Sequence, residues 1–426
     1  MNSATKEDLK SANESFSNGE FHEAEKVLLK ILKEDPDNAD VLEKLGTLSL
    51  WKNDTEKAEH YFKQAINKKS WLGNIWPFNA RLNYRLASTY LRTDHFKEAT
   101  VYFADAAGPF NIGPFKKLGI RGKQLALFEN ATPYIIHGKN ETDIEFVVLD
   151  PLPVVKVGVN GSKPVNFFID TGGEEIILDS NFAKEVNTIV VGEVPQEYAG
   201  TKKGLTGYGK INTLSIGGLL VKNIPVSTID LQPTSVSIFN GMEIKGTIGT
   251  RFLKHFLSTI DYKNSKLVLR KLTEKTKEKF TKQTSLSTSK EIPFYLVESH
   301  LMFARGSFNK QKPALFFIDT GLAGAGFLSS KSILKKADVA MDWSKASMGA
   351  GGGGMVKGLN IEIDEISLGS DENKIVKHNI KAVVLENDIS IFNGQLGFKV
   401  GGLISHQVFR DYALTFNFNE MKLVLY

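Results

Sequence analysis

The feature that most constrains this chain is an internal duplication. Asn160-Gly-Ser-Lys-Pro-Val-Asn-Phe-Phe-Ile-Asp-Thr-Gly172 matches Asn309-Lys-Gln-Lys-Pro-Ala-Leu-Phe-Phe-Ile-Asp-Thr-Gly321 without a gap, at an offset of 149 residues (319 − 170). Ser237-Ile-Phe-Asn-Gly241 recurs as Ser390-Ile-Phe-Asn-Gly394, and Gly246 to Leu269 aligns with Gly402 to Leu425, both ending in Lys-Leu-Val-Leu. Within these copies, short alternating segments such as Ile361-Glu-Ile-Asp-Glu-Ile-Ser-Leu368 predict half-buried strands. Two copies of one all-β domain are therefore expected, over 129–271 and 291–426. Residues 272–290, rich in Lys, Thr and Ser, read as a polar linker between them.

Residues 1–128 repeat on a different period. Ala12, Gly46 and Ala87 are spaced by 34 and then 41 residues, and so are Ala24, Ala58 and Ala99. Leu28, Phe62 and Phe103 keep both intervals, as do Ile31, Ala65 and Ala106. The longer second step places an insertion between Trp71 and Ala80, among Trp71, Trp76, Pro77 and Phe78. Small residues alternating with large ones let antiparallel helices approach closely and stack on the next pair. The pattern resembles tetratricopeptide repeats, about three of them, with Pro36 closing the first; the next two lack a matching proline. That resemblance implies an all-α domain whose concave face binds a protein partner or substrate.

A single Asp-Thr-Gly closes many turns and says little. Here the tripeptide stands at the same place in both copies, behind Phe-Phe-Ile. An apolar strand would deliver each Asp to its end, where glycine permits a tight turn and close backbone approach. If the copies pack about a pseudo-two-fold axis, Asp170 and Asp319 meet on it. Two carboxylates at close range cannot both ionise and so share a proton. One then takes a proton from a bound water while the other polarises a carbonyl. Thr171, Gly172, Thr320 and Gly321 are the residues expected to support this dyad, the threonines by hydrogen bonds across the axis.

The paired motifs and the later apolar–Gly element resemble the retropepsin-like and pepsin-like aspartic peptidases, over roughly Thr142 to Tyr426. The resemblance implies a bilobal all-β fold with a cleft between lobes. It also implies peptide-bond hydrolysis by activated water, without a metal or other cofactor. Three departures stand out. Gly173 and Leu322 replace the Ser or Thr usual after the motif in pepsin-like enzymes; Ile248-Gly249 becomes Ile404-Ser405 in the second copy; and Glu174 and Glu175 bring carboxylates beside the first motif, which would raise the dyad's pKa values. By position, Gly204 to Gly209 and Gly349 to Gly354 are candidate flaps, and Tyr208 is a candidate substrate-contacting flap tyrosine or else an exposed loop residue.

Other chemistries lack their residues. Cysteine is absent, which excludes disulfides and thiolate nucleophiles. The eight histidines form no HExxH spacing, and no Gly-x-Ser-x-Gly elbow is present, so no metal is expected. Gly349-Ala-Gly-Gly-Gly-Gly354 satisfies G-x-G-x-x-G formally, but a strand-like segment follows where a dinucleotide site needs a helix. A net charge of +5, spread without a basic stripe, argues against nucleic acid. No apolar run is long enough to span a bilayer, and Met1 to Lys10 is polar, so the chain as given is expected to be cytoplasmic, with an exported mature form left open. The competing expectation is a non-catalytic peptide-binding scaffold or adaptor whose Asp residues only close turns.

Overall fold

The computed structural model describes residues 3–69, 79–109, 113, 115–197, 203–285, 288–351 and 354–426. The insertion expected around Trp71, Trp76, Pro77 and Phe78 lies outside them. The chain divides into two compact units. The first holds residues 1–131 with two short later segments, Tyr295–Ser299 and Gly394–Lys399. The second holds Thr132–Phe294, His300–Asn393 and Val400–Tyr426.

Seven helices are described in the first unit: α1 (Ser3–Ser17), α2 (Phe21–Glu34), α3 (Ala39–Trp51), α4 (Thr55–Lys69), α5 (Ala80–Arg92), α6 (Phe96–Ala107) and α7 (Phe115–Ala126). The repeating columns form its core. Ala12, Ala24, Leu28, Ile31, Ala58, Phe62, Ala65, Ala87, Ala99, Phe103 and Ala106 are all buried. Gly46 shows why small residues recur: a methyl group there would lie 2.6 Å from the Phe62 ring, so α3 and α4 approach at a distance that only glycine allows. Asn38 starts α3 by accepting a hydrogen bond from the Val41 amide at 3.2 Å, satisfying one of the donors a helix start leaves free. The N-terminal region is thus an all-α helical repeat, followed by a β-rich region.

In the second unit the duplication is visible strand for strand. In the first copy Val165–Ile169 runs parallel to Gly246–Ile248, with Phe167 opposite Gly246 and Ile169 opposite Ile248. In the second, Ala314–Asp319 runs parallel to Val400–Ser405, with Phe316 opposite Gly402 and Ile318 opposite Ile404. These four strands are almost wholly buried, as the unbroken apolar runs Phe-Phe-Ile and Gly-Thr-Ile or Gly-Leu-Ile require.

The copies join through their C-terminal strands. Phe256–Asp261 pairs antiparallel with Ala413–Asn417, and Thr259 stands opposite Thr415, its counterpart in the other copy. Their buried hydroxyls are hydrogen-bonded at 2.7 Å. A residue paired with its own equivalent marks a pseudo-two-fold axis through that point of the sheet. The stretch 272–290, expected as a polar linker, contains a helix, Glu274–Ser285, whose Phe280 is buried against Leu257 and Val424. Thr276 and Thr284 are buried beside it, and the lysines mask this face in the sequence.

Candidate active site

Each Asp-Thr-Gly leaves the end of a buried strand. Asp170 follows Val165–Ile169 and donates its amide to the Ile248 carbonyl at 3.0 Å; Asp319 ends Ala314–Asp319 and pairs with Ser405. The next residues then turn tightly, and the Gly172 and Gly321 amides donate to Asp170 Oδ1 and Asp319 Oδ1 at 2.8 and 2.9 Å. The turns cross over one another. The Thr171 amide donates to Thr320 Oγ1 at 3.0 Å, and the Thr320 amide donates to Thr171 Oγ1 at 2.9 Å. Each hydroxyl then donates onward to a carbonyl of the opposite copy, Thr171 to Ile318 at 2.8 Å and Thr320 to Ile169 at 3.3 Å. Both threonines are fully buried, so these four bonds account for polar groups that water cannot reach.

This crossing brings the carboxyls together. The carboxyls of Asp170 and Asp319 lie close enough for each to shift the other's ionisation. A methyl group on Gly321 would lie 2.2 Å from Asp170 Oδ1, and one on Gly172 would lie 2.7 Å from Asp319 Oδ1. Only glycine at both positions leaves the carboxyls room to meet.

Both acids are pushed up from the ordinary carboxylate range. Burial raises Asp170 to about 6, opposed by the amides of Gly172 and Gly173 and by its bond with Asp319. Burial and then the charge of Asp170 raise Asp319 to about 8, opposed chiefly by the Gly321 amide. Two carboxyls in contact cannot both ionise, so the pair shares a proton through the neutral range.

The departures noted in the sequence have structural answers. Glu174 and Glu175 were expected to raise the dyad's pKa values, and this needs correction: burial raises both acids, and the charge of Asp170 raises Asp319 further. Glu174 instead forms an ion pair with Arg251, whose fully buried side chain also lies 3.9 Å from Glu175. Ser227 donates to Glu175 at 3.2 Å. Arg251 was missed, although it was detectable as a charged residue present in one copy and replaced by Gln407 in the other.

Ser405 is tolerated because its turn is longer. A methyl group at its first-copy counterpart, Gly249, would lie 2.3 Å from the Glu175 carbonyl oxygen. In the second copy the path from Asp319 to Phe327 is two residues longer than that from Asp170 to Ile176. There the Ser405 hydroxyl accepts the Gln407 amide at 3.1 Å.

Tyr208 is buried within the strand Lys203–Ile216, opposite Gly192 and Ser227 on the neighbouring strands. The alternative of an exposed loop tyrosine is thereby corrected: the β ladder continues past it to Lys203. Gly204 to Gly209 belongs to that same hairpin, whose residues 198–202 lie outside the described part. Gly349 to Gly354 stands at the end of a second hairpin, Ser347–Gly351 with Gly354–Leu368, and residues 352–353 lie outside the described part. The segment after these glycines is a strand, which is incompatible with a dinucleotide fold. Among the described residues no group of three or more His, Asp or Glu is placed to hold a metal, and no helix is long and apolar enough to cross a membrane.

The chain is similar to several solved structures. A retropepsin-like aspartic protease from Rickettsia conorii shares 19% identity, covering 32% of this chain and 95% of that one, with a TM-score of 0.23. The N-terminal domain of stress-induced protein-1 from C. elegans shares 14% identity over 30% of this chain and 99% of that one, TM-score 0.26. The Sgt2 TPR domain from Aspergillus fumigatus shares 15% over 30% and 83%, TM-score 0.26. No curated protein matches the chain. Residues 155–252, the first copy with Asp170, match the model of the aspartyl protease family. The first copy of the duplicated β domain is accordingly similar to the aspartyl protease family.

Proposed function

We propose that the chain is an aspartic endopeptidase in which Asp170 and Asp319 activate a water molecule against a peptide bond. The observation that carries this reading is the crossed Thr171–Thr320 pair, beside which the two equivalent carboxyls converge, each within reach of the other copy's motif glycine. A turn-closing role needs no such convergence.

The ionised member of the pair takes a proton from water as its oxygen attacks the scissile carbonyl carbon. The protonated member gives its proton to the carbonyl oxygen, which yields a neutral tetrahedral diol. Return of a proton to the amide nitrogen lets the C–N bond break and releases acid and amine. With Gly173 and Leu322 in place of a hydroxyl residue, each carboxyl keeps a backbone donor, the Gly172 amide on Asp170 and the Gly321 amide on Asp319. The hairpins carrying Tyr208 and Gly349 to Gly354 are placed by this reading over the bound peptide, with the helical repeats engaging a protein partner or substrate.

The test is to present an unbiased peptide library to the full chain, and to its Asp170→Asn and Asp319→Asn variants, between pH 4 and 9. Cleavage that disappears in both variants supports the proposal. Unchanged hydrolysis in either variant defeats it, and saturable peptide binding without turnover at any pH establishes the scaffold alternative instead.

A further inference from the structure

The first compact unit is not built from helices alone. Tyr295–Ser299 and Gly394–Lys399, more than 160 residues beyond the last helix in sequence, are part of the same body. Leu296, Val297 and Phe398 are as buried there as the repeat columns themselves.

The contacts that hold Tyr295–Ser299 are those by which a protein grips a peptide. Arg92, at the end of α5 and itself buried, donates to two successive main-chain carbonyls, Leu296 at 3.1 Å and Val297 at 2.8 Å, and also to the Leu50 carbonyl of α3 at 3.3 Å. Main-chain carbonyls are common to every peptide, so this part of the grip reads backbone, not side chain. Selectivity comes from the next residue. Trp51 Nε1 donates to Glu298 Oε2 at 2.9 Å, and Arg85 stands 3.8 Å from its other oxygen. Tyr295 stacks edge-on against Phe21 with ring centres 4.7 Å apart.

The second segment completes the wall of this position. Phe398 packs edge-on against both Phe21 and Trp51, and the Lys399 amide donates to the Ser17 carbonyl at the end of α1 at 2.8 Å. Its origin is visible in the duplication. From Gly241 to Gly246 the first copy has five steps, whereas Gly394 to Gly402 in the second has eight. The second copy is therefore three residues longer here.

We infer that Tyr295–Ser299 is a ligand the chain supplies to its own helical unit, occupying a position that recognises an aromatic–apolar–apolar–acidic peptide through Arg92, Trp51 and Arg85. An external peptide of that chemistry reaches the position only by displacing it. The inference is independent of any hydrolysis by Asp170 and Asp319.

The experiment uses the full chain carrying Asp170→Asn, so that no probe is consumed. The probe is a fluorescently labelled peptide with the sequence of residues 294–300. In this background the probe should fail to bind. With Leu296→Gly, Val297→Gly and Glu298→Ser introduced, it should bind saturably, and adding Arg92→Ala should weaken it by about tenfold or more, the loss of a charge-assisted pair of hydrogen bonds. A vacated variant that keeps its helical circular dichroism and does not bind overturns the inference, as does binding indifferent to Arg92→Ala. If the vacated variant loses helix, the single variants Arg92→Lys and Glu298→Gln serve in its place. Hydrogen exchange across residues 295–299 should then quicken by about tenfold, and an unchanged rate refutes the proposed grip.

Discussion

Thr171 and Thr320 each accept the other's backbone amide, at 2.9 and 3.0 Å, although 149 residues separate them. Removing one hydroxyl breaks two bonds and strands a buried amide of the other copy. Thr171→Val or Thr320→Val should destabilise the chain by about 1–3 kcal/mol, the cost of an unsatisfied buried donor. The hydrolytic rate should fall with it, because the carboxyls lose their common frame. Thr→Ser at the same positions should restore both. Denaturant midpoints and kcat measured side by side check this; a valine variant with parental stability contradicts it.

Asp170→Asn and Asp319→Asn should each lower hydrolysis by roughly 10²- to 10⁴-fold, the usual worth of a positioned acid or base, while the secondary structure persists. Single-turnover assays on a cleaved library peptide provide the measure.

The pH profile should be a bell displaced from the acid range toward neutrality. The productive state carries one proton on the pair, so activity rises as the pair loses its first proton and falls as it loses its second, with burial raising the pair's values to about 6 and about 8. A profile of kcat/KM with its maximum near pH 4 and no activity at 7 would contradict the burial of the pair.

The same shifts bear on stability. Both acids bind their protons more tightly in the folded chain than when unfolded, so stability falls as pH rises from about 4, the unfolded value, through the folded values. Asp319→Asn removes that dependence at its own position. The variant should melt above the parent at pH 8.5, and the difference should vanish below pH 4, where the carboxyl is protonated in both states. Melting curves at the two pH values decide the sign.

Gly321→Ala places a methyl group 2.2 Å from Asp170 Oδ1, and the carboxyl has to move. Hydrolysis should drop by about 10²-fold, the scale of a 1 Å misplacement at a reacting group. The helical unit's circular dichroism should not change. An alanine variant of normal activity would mean that the two carboxyls do not need this approach.

How much of this was legible beforehand follows from which interactions are local. The repeat columns Ala12, Ala24, Leu28 and Ile31, with their later counterparts, and the paired Phe-Phe-Ile-Asp-Thr-Gly segments repeat in register, so residue types and spacing alone determined an all-α repeat followed by a duplicated β domain. The meeting of Asp170 with Asp319 was an expectation from equivalence, since identical positions in two copies are the ones a two-fold axis can join. What only the tertiary structure decided are interactions without a partner nearby in sequence. Arg251 neutralises Glu174 across 77 residues, and Arg92 reaches the carbonyls of Leu296 and Val297 across 204 and 205. Tyr208 stands in a strand paired on both sides and is buried, which its glycine-rich surroundings in the sequence do not announce. Periodicity records which face of an element is apolar; it holds no record of which distant backbone comes to lie against that face.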